Sequence, residues 1–244
     1  MGLADASIQY WNGTDFTQLQ DTGWDNFLTS MDVAWKDDNM PQIVLGLDNG
    51  DVFFYDNGWS QIRTVECSSW CGIFKIKAQF FTKYLRVVMA TEDAAVWYYD
   101  EEREEKWEEL HDGTYESLPY GFCARFPLST NTDAYPDVVI GLESGAIERM
   151  NSQKSWSQIQ EMKSYGVDTM ECNFLQENEE DLRFVVSFND GSVGLYPLSN
   201  TCGDVDLIQG TGWNNVMSVI SASFHPSGNI PPRFVGGLNI LQGA

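Results

Sequence analysis

The sequence predicts an all-β fold: a five-bladed β-propeller of four-stranded antiparallel blades, its ring closed by strands from both termini. Three observations predict it. The first is that four stretches can be laid over one another: Ile43–Tyr55 (IVLGLDNGDVFFY), Val87–Tyr99 (VVMATEDAAVWYY), Val138–Met150 (VVIGLESGAIERM) and Phe184–Tyr196 (FVVSFNDGSVGLY). Each is an apolar run, a turn of Asp, Asn, Glu, Ser or Gly, and a second, alternating run, which is the pattern of a tight β-hairpin. The second is their spacing. They start at 43, 87, 138 and 184, so they lie 44, 51 and 46 residues apart, the period expected of one propeller blade per repeat. The third is a fifth copy split by the chain ends. Phe234–Leu238 repeats the first hairpin strand and Ser7–Trp11 the second. A blade shared by both termini leaves no open sheet edge at the seam.

The remaining strands follow in register. After each hairpin comes an outer strand: Trp59-Ser60-Gln61-Ile62, Trp107-Glu108-Glu109-Leu110, Trp156-Ser157-Gln158-Ile159, Val205-Asp206-Leu207-Ile208 and, at the N-terminus, Phe16-Thr17-Gln18-Leu19. An inner strand then precedes the next hairpin. Trp24–Trp35, Trp70–Phe81, Tyr115–Phe126 and Trp213–Phe224 place aromatics 11 residues apart, as expected of side chains that fill the wedge between neighbouring blades. The repeats fall at about 22–62, 68–110, 115–159, 165–208 and 211–244 with 1–20. No linker divides them, so residues 1–244 read as a single propeller domain. The tail Ile240–Ala244 has no place in this scheme.

Fourteen Lys and Arg against 36 Asp and Glu give a formal net charge of −22. Phosphate binding rests on positive charge, so nucleic acid and anionic membranes are set aside as partners. No apolar stretch reaches the ~20 residues of a membrane helix, so no membrane insertion is expected. The first residues, MGLADASIQY, have neither a basic region nor an apolar core, so the expected location is cytoplasmic, or secreted without a visible signal peptide. Five cysteines, Cys67, Cys71, Cys123, Cys172 and Cys202, are an odd number; we read them as reduced thiols, mostly buried as small apolar residues. Asn12-Gly13-Thr14 is a glycosylation sequon that reads equally as a turn.

Catalytic chemistry finds little purchase. His111 and His225 are the only histidines and no G-x-S-x-G occurs, so no nucleophilic site is predicted. Glycoside hydrolysis needs two carboxylates facing one another. The inner strands offer Asp32 and Glu171, while the other acids gather in turns such as Asp37-Asp38, Asp48, Asp51 and Glu92-Asp93. Cys67 and Cys71 are a close pair with no second pair to complete a zinc site. No metal or other cofactor is expected.

Two kinds of family resemblance point further. Thr22-Gly23-Trp24-Asp25-Asn26-Phe27 and Thr211-Gly212-Trp213-Asn214-Asn215-Val216, with a related Ser69-Trp70-Cys71-Gly72-Ile73, resemble the repeat of the five-bladed tachylectin-2 family. Those lectins bind N-acetylated sugars between adjacent blades. The hairpins resemble other repeats: Thr130–Asp137 before Val138 is similar to FG-GAP repeats, and Gly46–Asp56 to the turn and third strand of a WD40 repeat. The lectin resemblance implies a non-enzymatic, multivalent carbohydrate-binding protein with weak sites at blade junctions. Its ligand residues would be Trp24, Asp25, Asn26, Trp70, Tyr115, Tyr165, Trp213, Asn214 and Asn215, although recurrent aromatics are also what blade packing requires. The alternative is a WD40-like scaffold with a protein partner, favoured by the loss of the Gly-Trp element at Tyr115 and Tyr165. A five-bladed glycoside hydrolase is the third reading.

Overall fold

The structure, a computed structural model, describes residues 7–11, 13–20, 26–36, 40–64, 72–81, 84–113, 117–127, 134–161, 165–174 and 182–196, and the backbone of 206–209, 216–223 and 233–239. Its strands are β1 (Ile8–Trp11), β2 (Phe16–Gln20), β3 (Leu28–Lys36), β4 (Met40–Leu47), β5 (Asp51–Tyr55), β6 (Trp59–Thr64), β7 (Ile73–Phe80), β8 (Leu85–Thr91), β9 (Ala95–Asp100), β10 (Trp107–Asp112), β11 (Gly121–Arg125), β12 (Asp137–Gly141), β13 (Ile147–Met150), β14 (Trp156–Gln160), β15 (Val167–Phe174), β16 (Leu182–Phe188), β17 (Val193–Tyr196), β18 (Asp206–Gln209), β19 (Val216–Ser223) and β20 (Arg233–Asn239). No helix among the described residues is long and apolar enough to cross a membrane.

The chain divides into two compact units, Met1–Glu116 and Ser117–Ala244. The first holds the sheets β3-β4-β5-β6 and β7-β8-β9-β10 and the hairpin β1-β2; the second holds β11-β12-β13-β14, β15-β16-β17-β18 and the pair β19-β20. All pairings are antiparallel between sequence neighbours. These are propeller blades. Of the five four-stranded blades expected, four are complete among the described residues, and the described strands of the fifth copy form two two-stranded sheets. In them Trp11 pairs with Phe16 and Phe234 with Ala222.

The second strand of each blade is the apolar run of the repeat. β8, β12 and β16 are buried along their whole length, and β4 from Pro41 onward. A strand covered on both faces needs no alternation, which is why these runs read as continuous Val, Ile and Leu. The hairpin turns share one backbone device. Gly50, Ala94, Gly145 and Gly191 stand at the same turn position and all have positive φ, between 61° and 86°. Three of the four are glycine because the left-handed region costs other residues about 1–2 kcal/mol.

Neighbouring blades within a unit meet through their first strands, and small residues set the distance. A Cβ on Gly46 would lie 2.3 Å from Cγ2 of Ile73, and one on Gly141 would lie 2.8 Å from Cγ1 of Val167. The first residue of each following blade therefore seats on a glycine of the preceding apolar run. Beside this contact, side chains of β3 reach the backbone of β7. Ile76 N–H donates to Ser30 Oγ at 3.0 Å and Ala78 N–H to Asp32 Oδ2 at 2.8 Å. In the second unit the equivalent link is covalent: Cys123 on β11 is disulfide-bonded to Cys172 on β15, with Cα atoms 5.9 Å apart. This corrects the expectation of free thiols at those two positions. The partners lie 49 residues apart and only the stacking of two blades brings them together. Cys67, Cys71 and Cys202 lie outside the described residues.

Candidate functional site

Of the predicted ligand residues, Asn26 and Tyr165 are described; Trp24, Asp25, Trp70, Tyr115, Trp213, Asn214 and Asn215 lie outside the described residues. Tyr165 is a packing residue. Its ring meets Phe188 edge-on at 5.0 Å and lies against the apolar cluster of Val167, Phe184 and Phe188. Asn26 is half-buried and precedes Phe27, whose N–H donates to Asp48 Oδ1 while its carbonyl accepts from Asp48 N–H.

The outer-strand tryptophans also serve the fold. Trp59 donates its indole N–H to the Leu19 carbonyl and Trp107 to the Ile62 carbonyl, both at 3.1 Å. Each closes on the outer strand of the preceding sheet, satisfying the one polar atom of a large apolar side chain. The Trp107 face and that of Trp97 hold Arg63 between them, its Cζ 4.6 Å and 3.8 Å from the ring centroids. Burial pulls the Arg63 guanidinium down to about 10, Glu109 working the other way. The two aromatic faces supply cation–π attraction in place of lost hydration.

The carboxylates are committed in the same manner. Asp32, the inner-strand candidate for acid catalysis, accepts backbone N–H groups from Val33 and Ala78. Asn49, Asp93 and Asp190 accept N–H bonds within their own turns, while Asp48 and Asn189 accept from Phe27 and Gly166, just ahead of the first strand of their blade. Among the described residues no group of three or more His, Cys, Asp or Glu is placed to hold a metal ion.

Sequence reasoning missed a row of buried polar residues immediately before each apolar run: Gln42, Arg86, Asp137 and Arg183. Arg86 and Asp100 are both fully buried, with Nε 3.0 Å from Oδ2. Asp100 also accepts from Tyr98 OH at 3.0 Å and Glu102 N–H at 3.1 Å, and the Arg86 guanidinium lies over Phe81 and Tyr84. Burial, then the Asp100 charge, pushes the Tyr98 phenol well above its ordinary range; burial, then the Glu101 and Asp100 charges, pushes Tyr99 up to about 12. In the third blade Asp137 takes Arg125 Nε at 3.0 Å and Arg149 Nη2 at 3.3 Å. The recurrence of a polar residue at that one repeat position was the available signal.

Among the described residues the large apolar side chains left exposed are Val33 and four aromatics, all in the first unit. Trp11, Phe16, Phe27 and Trp35 are 51% to 63% exposed. Trp11 and Phe16 form a cross-strand pair with centroids 5.1 Å apart. Trp35 meets Tyr10 edge-on at 6.0 Å, and because successive residues of β1 point to opposite faces, this second pair lies on the other side of the hairpin. Trp35 was expected to fill a blade wedge; it is exposed, with only its partner Tyr10 half-buried, while Phe126 at the equivalent position of the third blade is buried.

No protein-family model matches the chain, and no curated protein matches it. Solved structures do. The chain is similar to the crystal structure of BBS1N in complex with ARL6DN, soaked with lead, at 13% identity and a TM-score of 0.54, covering 86% of this chain and 62% of that one. It is also similar to the complex soaked with mercury, at 11% identity and a TM-score of 0.59, covering 96% of this chain and 72% of that one. At such identities the likeness shows the fold alone, and this chain spans less than three quarters of either neighbour.

Proposed function

We propose that this protein is a non-enzymatic β-propeller scaffold that binds a protein partner. The observation that carries the reading is the division of labour among its aromatics. Among the described aromatics that recur from blade to blade, Trp59, Trp107 and Tyr165 are engaged in joining or filling blades. The exposed ones, Trp11, Phe16, Phe27 and Trp35, are not matched in exposure by the other described copies: Tyr55, Tyr99 and Tyr196 at the repeat position of Trp11, and Phe126 at that of Trp35, are buried. A multivalent lectin needs similar sites in several blades, whereas a single partner needs one distinctive surface. The solved neighbours are held in complex with a protein, which supports the same reading by fold-level analogy. With a net charge of −22, the partner surface is basic, since complementary potentials steer association. Closure of a fifth blade from the two terminal hairpins belongs to this reading and rests on the sequence repeat.

The carbohydrate reading competes directly, because most of its ligand residues lie outside the described set. A parallel screen separates the two: a broad glycan array and selection from a displayed random-peptide library, with enriched peptides re-measured as synthetic ligands. Basic peptides that bind, with a blank array, support the scaffold. Glycan binding with no peptide enriched overturns it.

A further inference from the structure

Both blade junctions described above use the same register position. Asp32 stands opposite Val44 and Cys123 opposite Val139, the second residue of each apolar run. Their partners, Ala78 and Cys172, stand opposite Val87 and Phe184, the first residue of the next run. One repeat position thus links the two complete blades within each unit, with a carboxylate on a backbone N–H in the first unit and a disulfide in the second. The carboxylate bond needs no redox condition. The disulfide does. Once reduced, the two thiols add only weak contacts, because S–H is a poor donor and acceptor, and the junction rests on the seating of Val167 on Gly141 and the bond from Val167 N–H to the Leu142 carbonyl.

We propose that Cys123 and Cys172 form a redox-operated lock on the innermost strands of the second unit, exchanging with a glutathione-type thiol–disulfide couple. A glutathione thiolate attacks Sγ of Cys172, the more exposed of the two sulfurs, since Cys172 is half-buried and Cys123 is 6% exposed. The Cys123 sulfur leaves as a thiolate and takes up a proton. A second glutathione thiolate then attacks the glutathione sulfur of the mixed disulfide, releasing Cys172 as a thiolate that is protonated in turn. Two electrons and two protons pass to the protein, and one glutathione disulfide forms. Oxidation runs the same steps backwards. The locked state ties β11 to β15; the reduced state leaves the two strands joined by packing and not by a covalent bond.

The test equilibrates the folded protein in buffers spanning a range of reduced-to-oxidised glutathione ratios. Acid quenching, maleimide tagging and peptide mapping then read Cys123 and Cys172 separately from the other cysteines. Amide hydrogen exchange is followed in both end states. The proposal expects one two-electron transition in the native protein. It also expects exchange in β11 and β15 to rise by up to about a thousandfold on reduction, the factor that closing a loop of 49 residues supplies in the chain-entropy account. Exchange in β4 and β8 should not change. A Cys123→Ser/Cys172→Ser variant should show the reduced pattern in every buffer; if it does not fold, the reduced wild type supplies the same readout. Free thiols at both positions in the oxidised protein, a disulfide that glutathione cannot reach without denaturant, or exchange indifferent to redox state would overturn the proposal.

Discussion

Replacing Gly46 by alanine would place a methyl carbon 2.3 Å from Cγ2 and 2.4 Å from Cβ of Ile73. Carbon atoms pack best at about 3.5–4.0 Å, so the two residues must separate by more than 1 Å. Rotating the isoleucine cannot achieve this, because Cβ itself is in the way and moves only with the backbone. Ile73 is fully buried at the start of β7, and its shift would drag that strand off β3. Overpacking costs about 1–3 kcal/mol, and the upper end is expected here. A loss of about 3 kcal/mol lowers Tm by roughly 10 °C in a domain of this size. The assay is a urea and thermal denaturation series on Gly46→Ala, Ile73→Ala and the double variant. Ile73→Ala alone should cost about 2–5 kcal/mol, and the double variant should be more stable than the two losses added, by at least about 1 kcal/mol. Gly58→Ala is the control, since a Cβ there meets nothing within 4 Å. A Gly46→Ala protein as stable as wild type, or strict additivity with Ile73→Ala, would refute this blade-to-blade packing.

Asp32→Ala should cost about 1.5–3 kcal/mol, because it strips the charged acceptor from the Ala78 N–H; Asp32→Asn, which keeps an oxygen, should lose less in the same urea series. Asp100→Asn leaves the fully buried Arg86 charge without its carboxylate and should cost about 3–5 kcal/mol by equilibrium unfolding. Stability should also depend on alkaline pH. The Tyr98 phenol holds its proton more tightly folded than unfolded, so its contribution is complete below the ordinary tyrosine value of about 10 and falls as pH rises beyond it. Urea midpoints between pH 8 and 11 should therefore decline above pH 10, and less steeply in Tyr98→Phe. An equal slope in that variant would assign the decline elsewhere.

The hairpins were legible because each carries two independent signals, a continuous apolar run and a turn residue at positive φ. Ala94 shows that the turn position outranks the residue: it takes φ 61° where the other copies have glycine. The outer strands were legible from their Trp starts, but the role of Trp59 and Trp107 was not, since their acceptor carbonyls lie 40 and 45 residues away. The Cys123–Cys172 bond was hidden for the same reason, and an odd cysteine count argued the wrong way. The burial of Arg86 and Asp137 was not legible, because a charge is normally exposed; only the packed blades show the partners that make it tolerable. The candidate site was legible least. Repetition draws attention to conserved-looking aromatics such as Tyr165, which turn out to pack, whereas Trp11 and Trp35 stand out only once exposure is known.

The most direct test of the scaffold reading is the affinity of the tightest library-selected peptide for the wild-type protein and for a folded Trp11→Ala/Trp35→Ala variant, measured by calorimetry. Central aromatic contacts in protein interfaces are worth about 2 kcal/mol or more each, so the account predicts at least a roughly 30-fold loss with unchanged far-ultraviolet circular dichroism. Equal affinity in both proteins would contradict it and move the partner surface away from these aromatics.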